Sequence, residues 1–192
     1  MTTHRTVGVD VGGRRKGFDL ALLDDREVTA LMRGLDREAV VEFVNMHQPA
    51  LVAVDSPRSC APEGQSTREC ERELITSICG IRWTPDNKCV EANPYFAWIG
   101  EGLALYAALA AADVPVIEVF PTASWTRWHG PRGSLTRAVW TRDGLARLCL
   151  TGAPERTSQD QRDAIAAAMT AQQHMSGLTQ EIGEIVVPAG RW

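Results

Sequence analysis

The stretch that decides the fold is Thr6-Val-Gly-Val-Asp10-Val-Gly-Gly-Arg-Arg-Lys-Gly17-Phe-Asp-Leu-Ala-Leu-Leu23. Its first six residues alternate and are rich in β-branched side chains, which predicts a strand with Val7, Val9 and Val11 on one face and Gly8, Asp10 and Gly12 on the other. Gly12–Lys16 reads as a turn and Gly17–Leu23 as the returning strand. A carboxylate at position 10 is out of place in so apolar a strand, because a central strand rarely carries an unpaired acid. The same residues therefore predict a hairpin and mark a site.

Working outward, Asp24-Asp25 turns the chain into a third strand, Glu27–Met32, completing a meander. Asp36 is positioned to cap a helix running through Met46. The apolar run Ala50–Val54, closed by Asp55-Ser56-Pro57, reads as a buried parallel strand. A polar loop, Arg58–Thr67, precedes predicted helices at Arg68–Ile78 and Pro94–Ala112. A second buried strand spans Pro115–Pro121, with Glu118 inside it and proline ending it. Helices are predicted at Thr136–Leu150 and Asp160–Met175, and Glu184–Pro188 reads as a short final strand. The expected class is α/β: a mixed five-stranded sheet, made of a three-strand antiparallel meander plus parallel strands, flanked by helices.

The chain has 192 residues and a formal charge of −4. That length suits one domain over residues 1–192, and no repeat, low-complexity tract or linker divides it. The charge argues against diffuse polybasic binding of nucleic acid, although an acidic centre loaded with metal is compatible with it. Met1-Thr-Thr-His-Arg5 lacks the basic and apolar regions of a signal peptide, and five cysteines without a C-x-x-C pair suit reduced thiols; a cytoplasmic location is expected. The apolar stretch Tyr95–Ala112 is Ala-rich and interrupted by Glu101, so it reads as a buried helix and not as a membrane span.

The chemistry-bearing residues are the acids. With the first, fourth and fifth strands as parallel neighbours, Asp10, Asp55 and Glu118 gather near their carboxyl ends, where ligands of open α/β sheets bind. Asp160 and Asp163, at i and i+3, share one face of a helix at its first turn. Such a cluster needs a counter-charge, and hard divalent ions, Mg²⁺ or Mn²⁺, suit oxygen ligands. Two ions about 3.5–4 Å apart would serve phosphodiester hydrolysis. Each acid also has a plain structural reading: Asp160 as a helix cap, and Asp55 as a turn former before Ser-Pro. Asp19 is expected opposite Asp10 across the hairpin, or merely at the end of the pleat.

The hairpin Gly8–Gly17 resembles the opening of ribonuclease H-like enzymes, including Holliday-junction resolvases, and Asp160-x-x-Asp163-Ala resembles their closing helix. More closely, the chain resembles the domain of unknown function 429 family. The resemblance runs through Val54-Asp55-Ser-Pro57, Arg68-x-Cys70-Glu71-Arg72-Glu73, Gly80-Ile-Arg82-Trp-Thr-Pro85, Glu118-Val-Phe-Pro121, Arg162-Asp163-Ala164 and Ile185-Val-Val-Pro188. That family is described as predicted nucleases. The resemblance implies a ribonuclease H-like fold and carries over Asp10, Asp55, Glu118 and Asp163 as catalytic metal ligands, with Asp160 added from the resolvase pattern. It also implies a family-specific insertion or cap at about 56–112. Asp19, where resolvases have a small residue, and Glu118, one strand later than their glutamate, depart from the resolvase pattern.

Within that insertion, Arg58, Arg72 and Arg82 are the expected substrate-binding residues, with Arg68 beside them; surface pairing with Glu69, Glu71 and Glu73 is the competing reading. Residues 121–150 set Arg127, Arg132, Arg137, Arg142 and Arg147 against one acid, Asp143, and add Trp125, Trp128 and Trp140 as base-stacking or core residues. The function these features imply is a divalent-metal-dependent nuclease or phosphodiesterase, with nucleic acid or another phosphoester as partner and no membrane. Two other classes compete. One is a non-catalytic or nucleotide-recognising module on the same fold. The other is an ATP-dependent phosphotransferase, since Asp10-Val-Gly-Gly resembles a phosphate loop, but such proteins have two halves and this chain has one.

Overall fold

In the computed structural model, residues 5–13 and 15–190 are described; Met1–His4, whose sequence bears on the signal-peptide reading, lies outside the described residues, as do Arg14, Arg191 and Trp192. The opening hairpin is β1 (Arg5–Val11) and β2 (Phe18–Asp24), followed by β3 (Glu27–Leu35) and α1 (Arg37–His47). Asp36 caps α1 by accepting the backbone N–H of Ala39 at 2.8 Å. The chain continues through β4 (Leu51–Asp55), α2 (Glu69–Ser77), α3 (Asn87–Ala92), a 3₁₀ turn at Pro94–Phe96, α4 (Ala97–Ala111) and β5 (Val116–Val119). It ends with α5 (Pro121–His129), α6 (Arg137–Arg147), α7 (Gln159–Met175), β6 (Thr179–Ile182) and β7 (Ile185–Pro188).

The sheet has seven strands in the order β3-β2-β1-β4-β5-β7-β6, where five were expected. β1, β4, β5 and β7 run parallel, the meander is antiparallel, and β6 pairs antiparallel with β7. The excess is the C-terminal hairpin: β7 is the final strand read at Glu184–Pro188, which the five-stranded count leaves out of the sheet, and β6 was not expected. Only its second strand is apolar enough to read in sequence, because β6 is the polar edge Thr-Gln-Glu-Ile.

Two apolar layers cover the sheet. On one face Val7, Val9, Val52 and Val54 pack with Val40 and Val44 of α1 and with Leu105, Tyr106 and Leu109 of α4. Helix α4 is thus the crossover between β4 and β5 and belongs to the core. On the other face α7 lies across β1, its alanines allowing unusually close approach. A Cβ added to Gly8 would stand 2.0 Å from the Ala164 carbonyl oxygen and 2.3 Å from the Ala168 nitrogen, both backbone atoms. That contact fixes the N-terminal turn of α7 against the carboxyl end of β1, which is where Asp160 and Asp163 meet Asp10.

The tryptophans also lie on this face. Trp125, Trp128 and Trp140 are 0%, 7% and 2% exposed and pack beside Ile165 and Met169, so they fill core instead of stacking bases. Their indole N–H groups are satisfied within the protein, by Asp163, Gln173 and the Gly130 carbonyl respectively. Among the described residues no helix is long and apolar enough to cross a membrane. All five cysteines carry free thiols.

Candidate metal centre

Strand register decides which acids meet. Asp10 stands directly beside Asp55 in the parallel β1–β4 pair, and opposite Asp19 in the β1–β2 pair, so all three share the face covered by α7. Glu118, by contrast, is level with Val54, and Val54 belongs to the layer under α1 and α4. Side chains alternate along a strand, so Glu118 faces the opposite side of the sheet from Asp10 and Asp55. The structure brings Asp10, Asp55, Asp160 and Asp163 together and leaves Glu118 around the sheet's end, although all five line one cavity.

The neighbours of each acid differ sharply. Glu118 accepts Arg68 Nη2 at 2.5 Å and Arg68 Nη1 and the Arg58 backbone N–H at 2.8 Å. Arg68 also bonds Glu71 at 3.0 Å and Glu184 at 3.2 Å and is buried, so its charge is spent inside the protein. Glu71 is 0% exposed and further accepts the N–H of Thr84 at 3.0 Å and the hydroxyl of Thr67 at 2.9 Å. Burial pushes the Glu118 carboxyl up in pKa, and the hydrogen bonds and charge of Arg68 oppose that. Arg68 pairs, as the competing reading had it, with Glu71, but the pairing is buried and not at the surface, and it extends to Glu118.

Asp163 is likewise occupied. Its Oδ1 accepts Trp125 Nε1 at 3.1 Å, and its Oδ2 accepts Arg137 Nη2 at 2.8 Å and Gln159 Nε2 at 3.0 Å. Burial raises its pKa against those three partners. Asp160, on the turn before, pairs with Lys16 Nζ at 2.6 Å. Asp19 accepts the Gly34 N–H at 3.1 Å and lies 3.7 Å from Arg33, a bond pattern that ties the meander together.

Asp10 and Asp55 are different. Among the described residues neither has a lysine or arginine nitrogen within ion-pair distance, and they share a hydrogen bond with each other. Burial, then the charges of Asp55, Asp163 and Asp160, push Asp10 up to about 9, with Lys16 opposing. Burial, then the charge of Asp163, pushes Asp55 up to about 8, with Arg137 and the Asp10 hydrogen bond opposing. Two adjacent carboxylates without a cation cannot both ionise cheaply, so the pair retains a proton near neutrality.

No three His, Cys, Asp or Glu side chains form a ready-made metal cluster among the described residues. The Asp10–Asp55 pair nevertheless fits a hard divalent ion. Mg²⁺ commonly keeps several waters and binds through one or two carboxylates, and here, among the described residues, two adjacent carboxylates have no cation at ion-pair distance.

The cavity above the pair has a volume of about 1310 Å³. Of the three arginines expected to bind substrate, Arg82 lines it. Arg58 instead lies over the Tyr106 ring at 6.0 Å, and Arg72 bonds the Thr67 carbonyl at 3.2 Å. Arg132 and Arg137, from the arginine-rich segment weighed for phosphate contact, also line the cavity, together with Arg15 and Lys16 from the β1–β2 turn, which the sequence did not single out. Their signal was proximity to the hairpin carrying Asp10 and local basic charge, which does not specify direction.

Comparison with known proteins bears on the fold and the family. A solved Thermus thermophilus RuvC structure aligns over 90% of this chain and 96% of its own, at 18% identity and TM-score 0.49. T. thermophilus RuvC in complex with a Holliday junction substrate aligns over the same shares, at 15% identity and TM-score 0.51. The latter likeness supports the fold, which is ribonuclease H-like, a mixed sheet flanked by helices. No match was found among curated proteins. The family model described as "Protein of unknown function (DUF429)" matches residues 8–186, and the chain belongs to that family.

Proposed function

We propose that the protein is a divalent-metal-dependent hydrolase of phosphodiester bonds in nucleic acid. The observation that carries this reading is the Asp10–Asp55 pair: side by side in register, at the carboxyl ends of two parallel strands, and, among the described residues, without a cation at ion-pair distance, whereas Asp160, Glu118 and Asp163 each have one. A lone acidic pair of this kind is costly unless a cation completes it.

Asp10 and Asp55 would hold Mg²⁺ or Mn²⁺, which supplies Lewis acidity toward a phosphoryl oxygen when bound. The sequence pattern suggests two ions; the pairing favours one, because Lys16 and Arg137 already neutralise Asp160 and Asp163. In this reading Asp163, held by Trp125, Gln159 and Arg137, would stand beside the bound ion as an outer hydrogen-bonding partner. Lys16 and Arg137 present positive charge beside a bound phosphate. Glu118 is assigned an anchoring role: with Arg68 it pins the α2 segment onto the sheet. The substrate-facing cap is then the stretch from Pro57 to Phe96, shorter than the expected 56–112 because α4 belongs to the core.

The test is incubation of labelled nucleic acids with Mn²⁺, Mg²⁺ or chelator. The expected result is cleavage that requires the metal and stops on chelation. Absence of cleavage with every nucleic acid, although metal raises thermal stability, would contradict the hydrolase reading.

A further inference from the structure

From the walls of the cavity we infer that the strand it takes is unpaired nucleic acid, a single strand or overhang, and not duplex or junction; this rests on the function proposed above. The Asp10–Asp55 pair lies within a cavity whose lining includes the β1–β2 turn, the α2–α4 stretch and the loop before α6. At about 1310 Å³ it exceeds the roughly 300–1,000 Å³ usual for a small ligand, which suits a length of flexible chain.

Its lining carries two kinds of recognition chemistry. Arg15, Arg82 and Arg132 are exposed, and among the described residues none makes an ion pair, in contrast to Arg68 and Arg137. Guanidinium groups left free beside an acidic centre attract an anion other than the protein's own carboxylates, and their planar donors match phosphate.

The second kind is aromatic. Tyr95 is 60% exposed, and its ring is held edge-on against Phe96 at 5.0 Å and 81°. Trp98, one turn on, also lines the cavity, and its indole N–H, though buried, has no acceptor among the described residues. Aromatic faces beside free arginines form a stacking platform with phosphate clamps, and they engage only bases whose faces are free. In a duplex those faces are stacked on neighbouring bases and are closed to a protein ring. Trp125, Trp128 and Trp140, readable as stacking or as core residues, are core; the exposed ring lining the cavity is Tyr95, from the Pro94–Trp98 stretch.

The test is fluorescence anisotropy in Ca²⁺ at fixed salt, using a labelled 12-nucleotide DNA strand, the same strand as RNA, a 12-base-pair duplex and a four-way junction. Unpaired DNA or RNA is expected to bind at least about tenfold more tightly than the duplex. Tyr95→Ala, at an exposed position, should weaken single-strand binding by about five- to a hundredfold and leave duplex binding unchanged. Arg82→Ala combined with Arg132→Ala should weaken it and flatten its salt dependence. Equal or tighter binding of duplex or junction would overturn the inference, as would a Tyr95→Ala variant that binds single strands like wild type. The two readings fail separately: a single-strand preference without Mn²⁺-dependent cleavage overturns only the hydrolase, and cleavage without that preference overturns only the strand assignment.

Discussion

Asp10→Asn is expected to abolish metal-dependent cleavage while making the metal-free protein more stable. The loss should be at least about a hundredfold, since partners one bond further from a metal already cost about 10–100-fold. The gain has an electrostatic origin. Burial, and then the charge of the adjacent Asp55, disfavours ionised Asp10, and among the described residues no cation stands at ion-pair distance from either, so ionising Asp10 strains the fold. Asparagine keeps the shape and the hydrogen bond to Asp55 but carries no charge. A gain on the order of 1 kcal/mol would raise the melting temperature of a chain this size by about 2–4 °C.

The same imbalance makes metal-free wild-type stability depend on pH. Between the ordinary carboxylate value of 3.8 and the folded values of about 8 and about 9, the folded protein holds protons that the unfolded chain releases. Stability therefore falls as pH rises through that window, and is highest toward its acid end, as far as this pair decides it. Bound divalent ion displaces the proton and should cancel the fall; Asp10→Asn should flatten it without metal. Thermal melts from pH 5 to pH 9, with and without Mn²⁺, read both effects. A variant less stable than wild type at pH 8 would contradict this origin of the strain.

Arg68→Met is expected to be the most destabilising single change near the site, by about 3–5 kcal/mol in urea unfolding. Arg68 is 4% exposed and is the cation of both Glu118, 3% exposed, and Glu71, 0% exposed. Removing it strands two buried carboxylates, whereas the apolar replacement retains most of the packing. Against a total stability of about 5–15 kcal/mol, the loss is large. Adding Glu118→Gln should recover part of it, because the second change removes one of the two stranded charges. Additive losses in the double variant would show that the pair is not coupled and that Glu118 has another role.

The contrast between Asp10 and Glu118 shows where sequence reading reached its limit. Asp10 and Asp55 were legible because each interrupts or closes a short run of valines, and parallel neighbours put them level. Glu118 sits in an equally apolar run, yet its face depends on how β5 registers against β4. One residue of shift exchanges the two faces, and nothing local to Pro115–Pro121 encodes that choice. Asp36 as a helix cap was readable from four residues. The partners of Asp163, by contrast, come from positions 125, 137 and 159, joined only when α5 and α6 pack on α7.

Pro121 illustrates a different limit. Read as a strand terminator, it also stands at the first position of α5, where its fixed φ and missing N–H suit a helix start. That helix delivers Trp125 to Asp163, so the second role of one proline concealed the support of the site. The Arg68 cluster was legible as a motif, and its two readings were separated only by burial.

The central claim is that Asp10 and Asp55 together hold one divalent ion. It is tested most directly by calorimetric titration of the metal-free protein with Mn²⁺ at pH 7.5, in two buffers of different ionisation enthalpy. The account predicts one ion per chain, a buffer-dependent heat that reports the proton leaving the pair, and loss of both in the Asp10→Asn, Asp55→Asn double variant. Binding that persists unchanged in the double variant, or no binding to wild type at millimolar Mn²⁺, would contradict it.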